Sequence, residues 1–411
     1  MKIKPRKTEE VWKEKLGSRN LLFSPTTILV MTIFIDATGF GMIIPLLPFY
    51  AETFQAGSTA LGILIASFSV MQFVFSPLLG RVSDKLGRKP VLVMSILTSM
   101  ASFVLFAFAN SFLLLLLSRM IAGLATETAV AQAYIADVTS KKERAAGIGK
   151  VGAAHGAGFI VGPAIGGFLS VYGFSAAGFA AVFLTLINLL FVLFLLPESL
   201  STESRESQLT TESNRGFLRQ LISSFSTPLI GAVLAIFFIV FLSFSAIPVI
   251  LPLLGVVYFG LGSVEMSYLF VYIGIVQIIL QGVVIGRLAV KLGDEKLITF
   301  GPLLMMVGIF LMPLIPNIGV FMVSLTMISS GSGIMRTIVP SFISKETHEN
   351  EQGGVLGIAN SVASIATVPG PLVGGFLFEF FGLASPFYVS AILLLIAFGL
   401  GFKTFRIRSQ I

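Results

Sequence analysis

Apolar and polar residues occur in long blocks along this chain, and runs of about 20 apolar residues are separated by short polar segments. As an α-helix, a run of this length crosses the hydrocarbon core of a bilayer, because each residue adds about 1.5 Å. We therefore predict twelve transmembrane helices, numbered spans 1 to 12, at residues 25–48, 59–79, 90–109, 111–138, 147–171, 174–196, 228–254, 264–286, 297–315, 318–342, 354–378 and 384–402.

Positive charges mark one side of the predicted membrane. Lys and Arg cluster in every second connection between spans, whereas the alternate connections contain neither residue. Because positively charged loops remain in the cytoplasm, the pattern predicts a multi-pass protein of the cell membrane with both termini cytoplasmic. The net charge of +7 then follows from topology, and nucleic acid is not an expected partner.

A polar stretch between spans 6 and 7 divides the chain into two halves. It begins PESLSTESRES, is too polar to bury, and is interpreted as a solvated linker. The predicted organisation is a cytoplasmic tail, a six-helix bundle, a cytoplasmic linker, a second six-helix bundle and a cytoplasmic tail, at residues 1–24, 25–196, 197–227, 228–402 and 403–411.

The two halves are internal repeats. AAGIG at residues 145–149 precedes GPAIGG at 162–167, and GGVLG at 353–357 precedes GPLVGG at 370–375, with an offset of 208 residues in both cases. The repeats have the same orientation, which predicts two bundles related by an axis along the membrane normal. Such a duplex suits alternating access to a site at the repeat interface.

Several classes of chemistry have no support in this sequence. It contains no Cys, so disulfides, thiolate metal sites and Cys nucleophiles are excluded. It also lacks a phosphate-binding GxxxxGK[ST] loop, a metal-ligand cluster and a Ser/His/Asp arrangement. We expect no cofactor, no metal and no enzymatic activity.

A charged segment at residues 80–90, GRVSDKLGRKP, lies between spans 2 and 3 and fixes the sidedness of the protein. We predict a tight turn in which Gly80 and Gly87 permit close packing and positive φ angles. Asp84 and Arg88 are four residues apart, and Asp137 ends span 4. One Arg can therefore bind two carboxylates, and breaking this network would couple opening of a cytoplasmic gate to charge. Solvated loop charges, worth at most about 1 kcal/mol each, are the alternative.

The sequence resembles the major facilitator superfamily over nearly its whole length, and within it the twelve-span drug:H⁺ antiporters that include tetracycline-resistance efflux proteins. Residues 80–89 match the loop signature between spans 2 and 3, DATGFGMIIPLLPFY from Asp36 matches the first-span signature, and Arg119 with Gly123 matches the span-4 pattern. The resemblance implies an all-α integral membrane protein with twelve helices in two six-helix bundles, the major facilitator fold. It also implies a cytoplasmic gate and a span-5 antiporter motif, comprising Gly80, Asp84, Gly87, Arg88, Lys89 and Asp137 for the gate and Gly158, Gly162, Pro163, Gly166 and Gly167 for the motif.

Asp36 is the first candidate for proton coupling. It lies about eleven residues into span 1, near mid-membrane, where an unpaired carboxylate must face a cavity, find a cation or take a proton. Arg119 lies in span 4 at a compatible depth, and the resemblance implies that it lies near Asp36 and contributes to coupling. The alternative for both is a fixed ion pair that joins two helices.

Glu127 and Arg336 are features that the resemblance does not supply. Arg336 corresponds to position 128 of the first half after subtraction of the 208-residue offset, so both residues lie on the fourth span of their half. We predict that both line the substrate cavity with Asp36, that Glu127 is a second protonatable site, and that the two pair when the inner side closes. Snorkelling of Arg336 to the membrane surface is the alternative.

These features together predict a proton-coupled transporter that exports amphipathic or cationic small molecules by alternating access. Its expected partners are a small-molecule substrate, protons and the lipid bilayer, and we expect a monomer. A proton-coupled importer or a facilitator of a small metabolite is the first alternative, and a membrane-embedded sensor or scaffold is the second. The sequence does not name the substrate.

Overall fold

Over the residues described by the computed structural model, 24–125, 127–139, 141–200, 228–346 and 352–408, all regular structure is helical. Twelve helical segments, α1 to α12, follow the order of the predicted spans, and the prediction of twelve helices is confirmed. They are α1 Pro25–Glu52, α2 Ser58–Leu86, α3 Arg88–Ala107, α4 Phe112–Val138, α5 Lys141–Ser170, α6 Phe174–Leu195, α7 Pro228–Phe259, α8 Ser263–Leu292, α9 Asp294–Leu311, α10 Ile318–Lys345, α11 352–381 and α12 Ser385–Arg408.

Eleven helices in the described ranges are long and apolar enough to cross a membrane. The twelfth segment, α9, has 18 residues and carries three charges at its start, Asp294, Glu295 and Lys296. Those charges reduce its apolar length, because the helix begins in the charged connection after α8. At the other end of the chain, α12 runs as far as Arg408, beyond the predicted end of span 12.

Five of the segments contain breaks that the apolar pattern does not show. A 3₁₀ turn at Ile44–Leu46 interrupts α1, and a π-helical turn at Leu280–Val284 interrupts α8. Between Ala366 and Pro369 the helix of α11 stops and restarts, as expected because Pro lacks an amide donor. The other two breaks separate Phe112–Leu124 from Glu127–Val138 in α4 and Pro228–Ser245 from Ile247–Phe259 in α7.

The described residues form two compact units. Unit one comprises residues 24–46 and 70–200, and unit two comprises residues 47–69 and 228–408. The core of unit one contains apolar side chains of α1, α3, α4, α5 and α6, including fully buried Leu29, Leu92 and Tyr134. Unit two is built mainly by α9 packing on α10 and α12, and by α7 packing on α11 and α12. The predicted tail at 1–24 and linker at 197–227 lie almost entirely outside the described residues.

The charged segment at residues 80–90 differs from the predicted turn. Helix α2 continues through Gly80 to Leu86 and α3 begins at Arg88, so Gly87 alone joins the two helices. Gly87 has φ 112° and ψ 154°, a region that only Gly adopts readily. Gly80 is helical and has open space where a Cβ would lie. The expected positive φ is therefore found at one of the two glycines.

Candidate functional site

Two carboxyl groups lie within the membrane-spanning part of unit one. Glu127 begins the second helix of α4 and is buried, with 3% of its surface exposed. Its Oε1 accepts a hydrogen bond of 2.8 Å from Ser99 Oγ on α3, and Ser95 forms a second hydrogen bond to the same carboxyl. Asp36 on α1 is half-buried and interacts electrostatically with Glu127. The structure therefore brings together two of the three predicted coupling residues.

The two acids of this pair differ in the hydrogen bonds that they accept. Glu127 has two hydroxyl donors, whereas Asp36 has no hydrogen-bond partner among the described residues. Two neighbouring carboxylates repel each other, and in a medium of low dielectric one of them keeps a proton. The hydroxyl donors therefore distinguish the two acids, because they offer hydrogen bonds to Glu127 and not to Asp36.

Arg119, the third predicted coupling residue, has no carboxylate partner among the described residues. Its side chain is 1% exposed, and its Nη1 and Nη2 atoms lack hydrogen-bond partners. The Nε atom lies 3.5 Å from Ser118 Oγ, and the guanidinium lies 5.9 Å from the Phe106 ring centroid. A buried cation with unused donors is costly, and the coupling role of Arg119 stays a prediction.

The predicted gate residues of unit one form one network. Arg88 Nη1 lies 2.6 Å from Asp84 Oδ1, and Arg88 Nε lies 2.9 Å from Asp137 Oδ2. Arg88 also donates from Nη1 to Ser83 Oγ at 2.7 Å. Only 7% of the Arg88 side chain is exposed, against 42% for Asp84 and 22% for Asp137. The expected binding of two carboxylates by one Arg is thus present.

Sequence reasoning missed Glu198, which lies at the start of the predicted linker. Its carboxylate accepts hydrogen bonds from the backbone N–H groups of Arg88 at 2.9 Å and Lys89 at 3.2 Å. Gly87 precedes α3 and has no side chain to cap the helix, so Glu198 supplies the cap from elsewhere in the chain. Lys89 in turn donates from Nζ to the carbonyl of Leu193 at 2.8 Å.

Unit two contains an ion pair of reversed polarity at the corresponding helix ends, and we call this pair and the Arg88 network the two latches. Asp294 was recognisable from sequence as the counterpart of Arg88, but its partner Lys345 was missed. Asp294 follows Gly293 at the start of α9, as Arg88 follows Gly87, and Gly293 has φ 82° and ψ 155°. Lys345 ends α10, and its Nζ lies 2.6 Å from Asp294 Oδ2. The basic residue is thus on the fourth helix of unit two, whereas it is on the third helix of unit one. Comparison of the halves by residue identity hides this equivalence.

The glycines of the predicted antiporter motif lie against α1. A Cβ on Gly158 would lie 2.6 Å from Ala37 Cβ, and one on Gly162 would lie 2.9 Å from Gly41 Cα. The backbone of Met42 closes the same contact at Gly166. The remaining motif residues, Pro163 and Gly167, are buried. The strip is therefore a close helix contact, and a hinge at Pro163 stays a prediction.

The second-half strip packs in the same way. Gly370 contacts Ser245 and the carbonyl of Leu242 on α7, and a Cβ on Gly374 would lie 3.2 Å from Ala246 Cβ. Both halves thus use a Gly-rich fifth helix against their first helix.

Within unit two, the start of α2 packs against α11. The backbone N–H of Thr59 donates to Glu379 Oε2 at 2.6 Å, and a Cβ on Gly62 would lie 2.5 Å from the carbonyl oxygen of Pro371. Gly375 contacts the carbonyl of Ser58 in the same interface. Glu379 therefore caps the start of α2 from another helix.

Arg336 lies on α10, where its side chain is exposed and its guanidinium is 5.2 Å from the Phe241 ring centroid. Its predicted partner Glu127 is bound by serines within unit one. The pairing of these two residues stays a prediction. Over the described residues, no group of three or more His, Asp or Glu side chains is arranged to hold a metal ion.

Comparison with known proteins agrees with this fold. The family model described as Major Facilitator Superfamily matches residues 29–371, and a second match covers residues 282–410. The chain is 33% identical over 357 residues to tetracycline resistance protein, class E, of Escherichia coli, covering 85% of this chain and 87% of that protein. It is 28% identical over 392 residues to multidrug resistance protein 2 of Bacillus subtilis (strain 168), covering 94% and 96%.

A solved structure of the nucleoside transporter NupG superposes with a TM-score of 0.72 over 93% of this chain and 98% of that chain, at 15% identity. A likeness at this identity shows the fold alone. The family match extends over far more than half of the residues and coincides with the twelve helices, the repeated strips and the charged turns. The chain is therefore a multi-span membrane transporter that belongs to the Major Facilitator Superfamily.

Proposed function

We propose that this transporter exports amphipathic, including cationic, small molecules in exchange for protons by alternating access. The observation that carries the proposal is the acid pair of unit one, in which Asp36 and the buried Glu127 interact electrostatically within membrane-spanning helices. Intramembrane acids of this kind are typical of proton and substrate pathways. The tetracycline and multidrug resistance proteins to which the chain is similar support drug export.

The acid pair supplies a simple coupling mechanism. When one proton is shared by two neighbouring carboxyls, a bound cationic substrate replaces it electrostatically, and a returning proton displaces the substrate. Arg119, with its unused Nη1 and Nη2 donors, would stabilise an ionised carboxyl in the state that has lost its proton.

The charged turns would act as the cytoplasmic gate. Arg88 with its two carboxylates, and Asp294 with Lys345, each join the start of one helix to the end of another. Opening towards the cytoplasm would require these contacts to separate. Both termini are cytoplasmic under this proposal, in agreement with the distribution of Lys and Arg.

The test is substrate-induced proton movement in inverted membrane vesicles that hold an acid-inside gradient. Lipophilic cations and tetracycline-like compounds are added, and lumenal pH is followed with a fluorescent dye. Antiport predicts that a transported compound releases lumenal protons and that Asp36→Asn abolishes the release. Glu52→Gln, an exposed acid at the end of α1, is the matched control and should retain it.

Each alternative function predicts a different outcome of the same experiment. An importer would move protons and substrate in the same direction. A facilitator would show solute counterflow without proton movement, and a sensor would bind a compound without moving it. Proton release that persists in folded Asp36→Asn and Glu127→Gln proteins would refute the role of the acid pair.

A further inference from the structure

A guanidinium lies well inside a membrane-spanning helix of unit two. Arg336 is on α10, Ile318–Lys345, nine residues before the end of that helix. At about 1.5 Å per residue this places its Cα roughly 13 Å from the helix end. A cation at such a position is costly unless it meets a partner, a cavity or the membrane surface.

No described residue neutralises this cation. Arg336 forms no ion pair and no hydrogen bond within the part of the chain that the structure describes, and its recorded contact is with the Phe241 ring on α7 at 5.2 Å. Phe241 is nearly buried, at 9% exposure. The aromatic ring therefore fixes the guanidinium in place without neutralising its charge.

The surroundings of Arg336 distinguish a recess from a lipid-facing surface. The Phe241 ring of α7 covers one side of the guanidinium at 5.2 Å, yet the side chain keeps an exposed surface. An Arg that snorkels at the membrane surface would be exposed without being enclosed by protein. The combination indicates a guanidinium that lines a recess of unit two.

A second polar group lies on the same side of α10. Gln281 is exposed and belongs to the π-helical turn of α8, and its Nε2 lies 3.6 Å from the place that a Cβ on Gly333 would occupy. Arg336 is three residues after Gly333 and shares its helix face. The amide of Gln281 has no hydrogen-bond partner among the described residues, and π-helical turns occur frequently at functional sites.

We propose that Arg336, Gln281 and Phe241 form a subsite for an anionic group of the transported molecule, a carboxylate or a phosphate-type oxyanion on an amphipathic body. Phe241 covers the guanidinium, so the N–H donors at its edge remain for two oxygen atoms, and the Gln281 amide adds a further donor. The absence of a side chain at Gly333 lets the Gln281 amide lie close to the face of α10 that carries Arg336. The inference rests on the transport function proposed above and deepens it: a zwitterionic amphipathic molecule has a cationic group that suits the proposed proton exchange and an anionic group that suits this subsite.

The experiment measures binding at equilibrium, without any gradient. The full chain is placed in phosphatidylcholine nanodiscs and dialysed against 1-naphthylacetate or its uncharged analogue 1-naphthylacetamide, and bound ligand is determined by fluorescence. We expect the wild type to bind the carboxylate more tightly than the amide. Arg336→Gln should weaken carboxylate binding by about tenfold or more and leave amide binding unchanged.

Two further variants distinguish the subsite from a general charge effect. Arg336→Lys keeps the charge and loses the planar fork, so its carboxylate affinity should fall between those of the wild type and Arg336→Gln. Arg287→Gln removes an exposed Arg on α8 of the same unit and should leave the preference intact. All variants are first required to elute as a single peak in size-exclusion chromatography.

Three results would overturn the inference. They are equal binding of the two ligands by the wild type, an unchanged preference in folded Arg336→Gln, and an equal loss in Arg287→Gln. Nanodiscs that contain phosphatidylglycerol test whether the anion belongs to a lipid: displacement of 1-naphthylacetate by this lipid would assign the site to a headgroup and overturn its assignment to a transported molecule. Because no proton gradient is present, a failure here is distinct from a failure of antiport.

Discussion

The two latches differ in burial, and we expect this difference to determine how much each contributes to stability. The Arg88 side chain is 7% exposed and binds two carboxylates, whereas the Lys345 side chain is 63% exposed and binds one. Charged hydrogen bonds of a buried cation contribute about 1.5–3 kcal/mol, and ion pairs with an exposed cation contribute about 1 kcal/mol or less, even where the carboxylate is shielded, as it is in Asp294 at 10% exposure. The first latch is perturbed by Arg88→Gln, Asp137→Asn and the double variant. The second latch is perturbed by Asp294→Asn, Lys345→Gln and their double variant.

The coupling energy of each pair is obtained from a double-mutant cycle. Free energies of unfolding are measured by titrating purified protein with SDS in mixed micelles and following helicity by circular dichroism. We expect a coupling of about 1.5–3 kcal/mol for Arg88 with Asp137, and of about 1 kcal/mol or less for Asp294 with Lys345. Added salt should weaken the second coupling more than the first, because exposed charges are screened.

Asp84 still binds Arg88 when Asp137 is replaced. In Asp137→Asn, Arg88 still has Asp84 at 2.6 Å, so this single variant should cost less than Arg88→Gln, which leaves two carboxylates without their cation. Equal couplings for the two latches, or a larger one at Lys345, would refute the reasoning from burial.

Two more substitutions test helix contacts. Gly162→Ala should destabilise the protein by about 1–3 kcal/mol, because the new Cβ would meet the α1 backbone. Gly152→Ala on the same helix, where nothing lies within 4 Å of the new Cβ, should be neutral or stabilising by up to about 1 kcal/mol. Thermal unfolding in detergent compares the two variants, and similar melting temperatures would contradict the close contact. Glu379→Ala should lower the free energy of unfolding by about 1 kcal/mol, because the N–H of Thr59 loses its carboxylate acceptor. Glu52→Ala is the control and should have no effect. Unfolding in SDS measures both variants, and an unchanged stability of Glu379→Ala would show that this cap contributes none.

Much of the fold could be predicted from apolar runs and charge clusters, because membrane helices must satisfy their backbone hydrogen bonds internally. The breaks were harder to predict. Ile44–Leu46, which contains Pro45, and Leu280–Val284, which contains Gln281, lie within spans that are apolar overall, where hydropathy does not distinguish one helical pitch from another. The single-residue connection at Gly87 was also missed, since charged residues continue a helix beyond the apolar region as readily as they form a loop.

The candidate site shows the same limit. The depth of Asp36 and Arg119 along their helices follows from residue counts, but the direction in which each side chain points does not. The structure accordingly places Asp36 within electrostatic range of Glu127, and Arg119 beside Phe106 without a carboxylate partner among the described residues. Glu198 could not be predicted for another reason. Its partners are backbone N–H groups 110 and 109 residues away in the chain, and such contacts leave no pattern in the sequence.

The opposite polarity of the two latches makes the halves electrostatically incompatible parts. If Gly293 and Asp294 were replaced by their counterparts Gly87 and Arg88, an Arg would stand where Asp294 now meets Lys345. Two cations would then face each other within ion-pair distance. The reverse transplant would set an Asp against Asp137 and leave Asp84 without a cation. Either graft needs a compensating change on the fourth helix of its half, so the two repeats retain a common backbone but are no longer interchangeable at these turns.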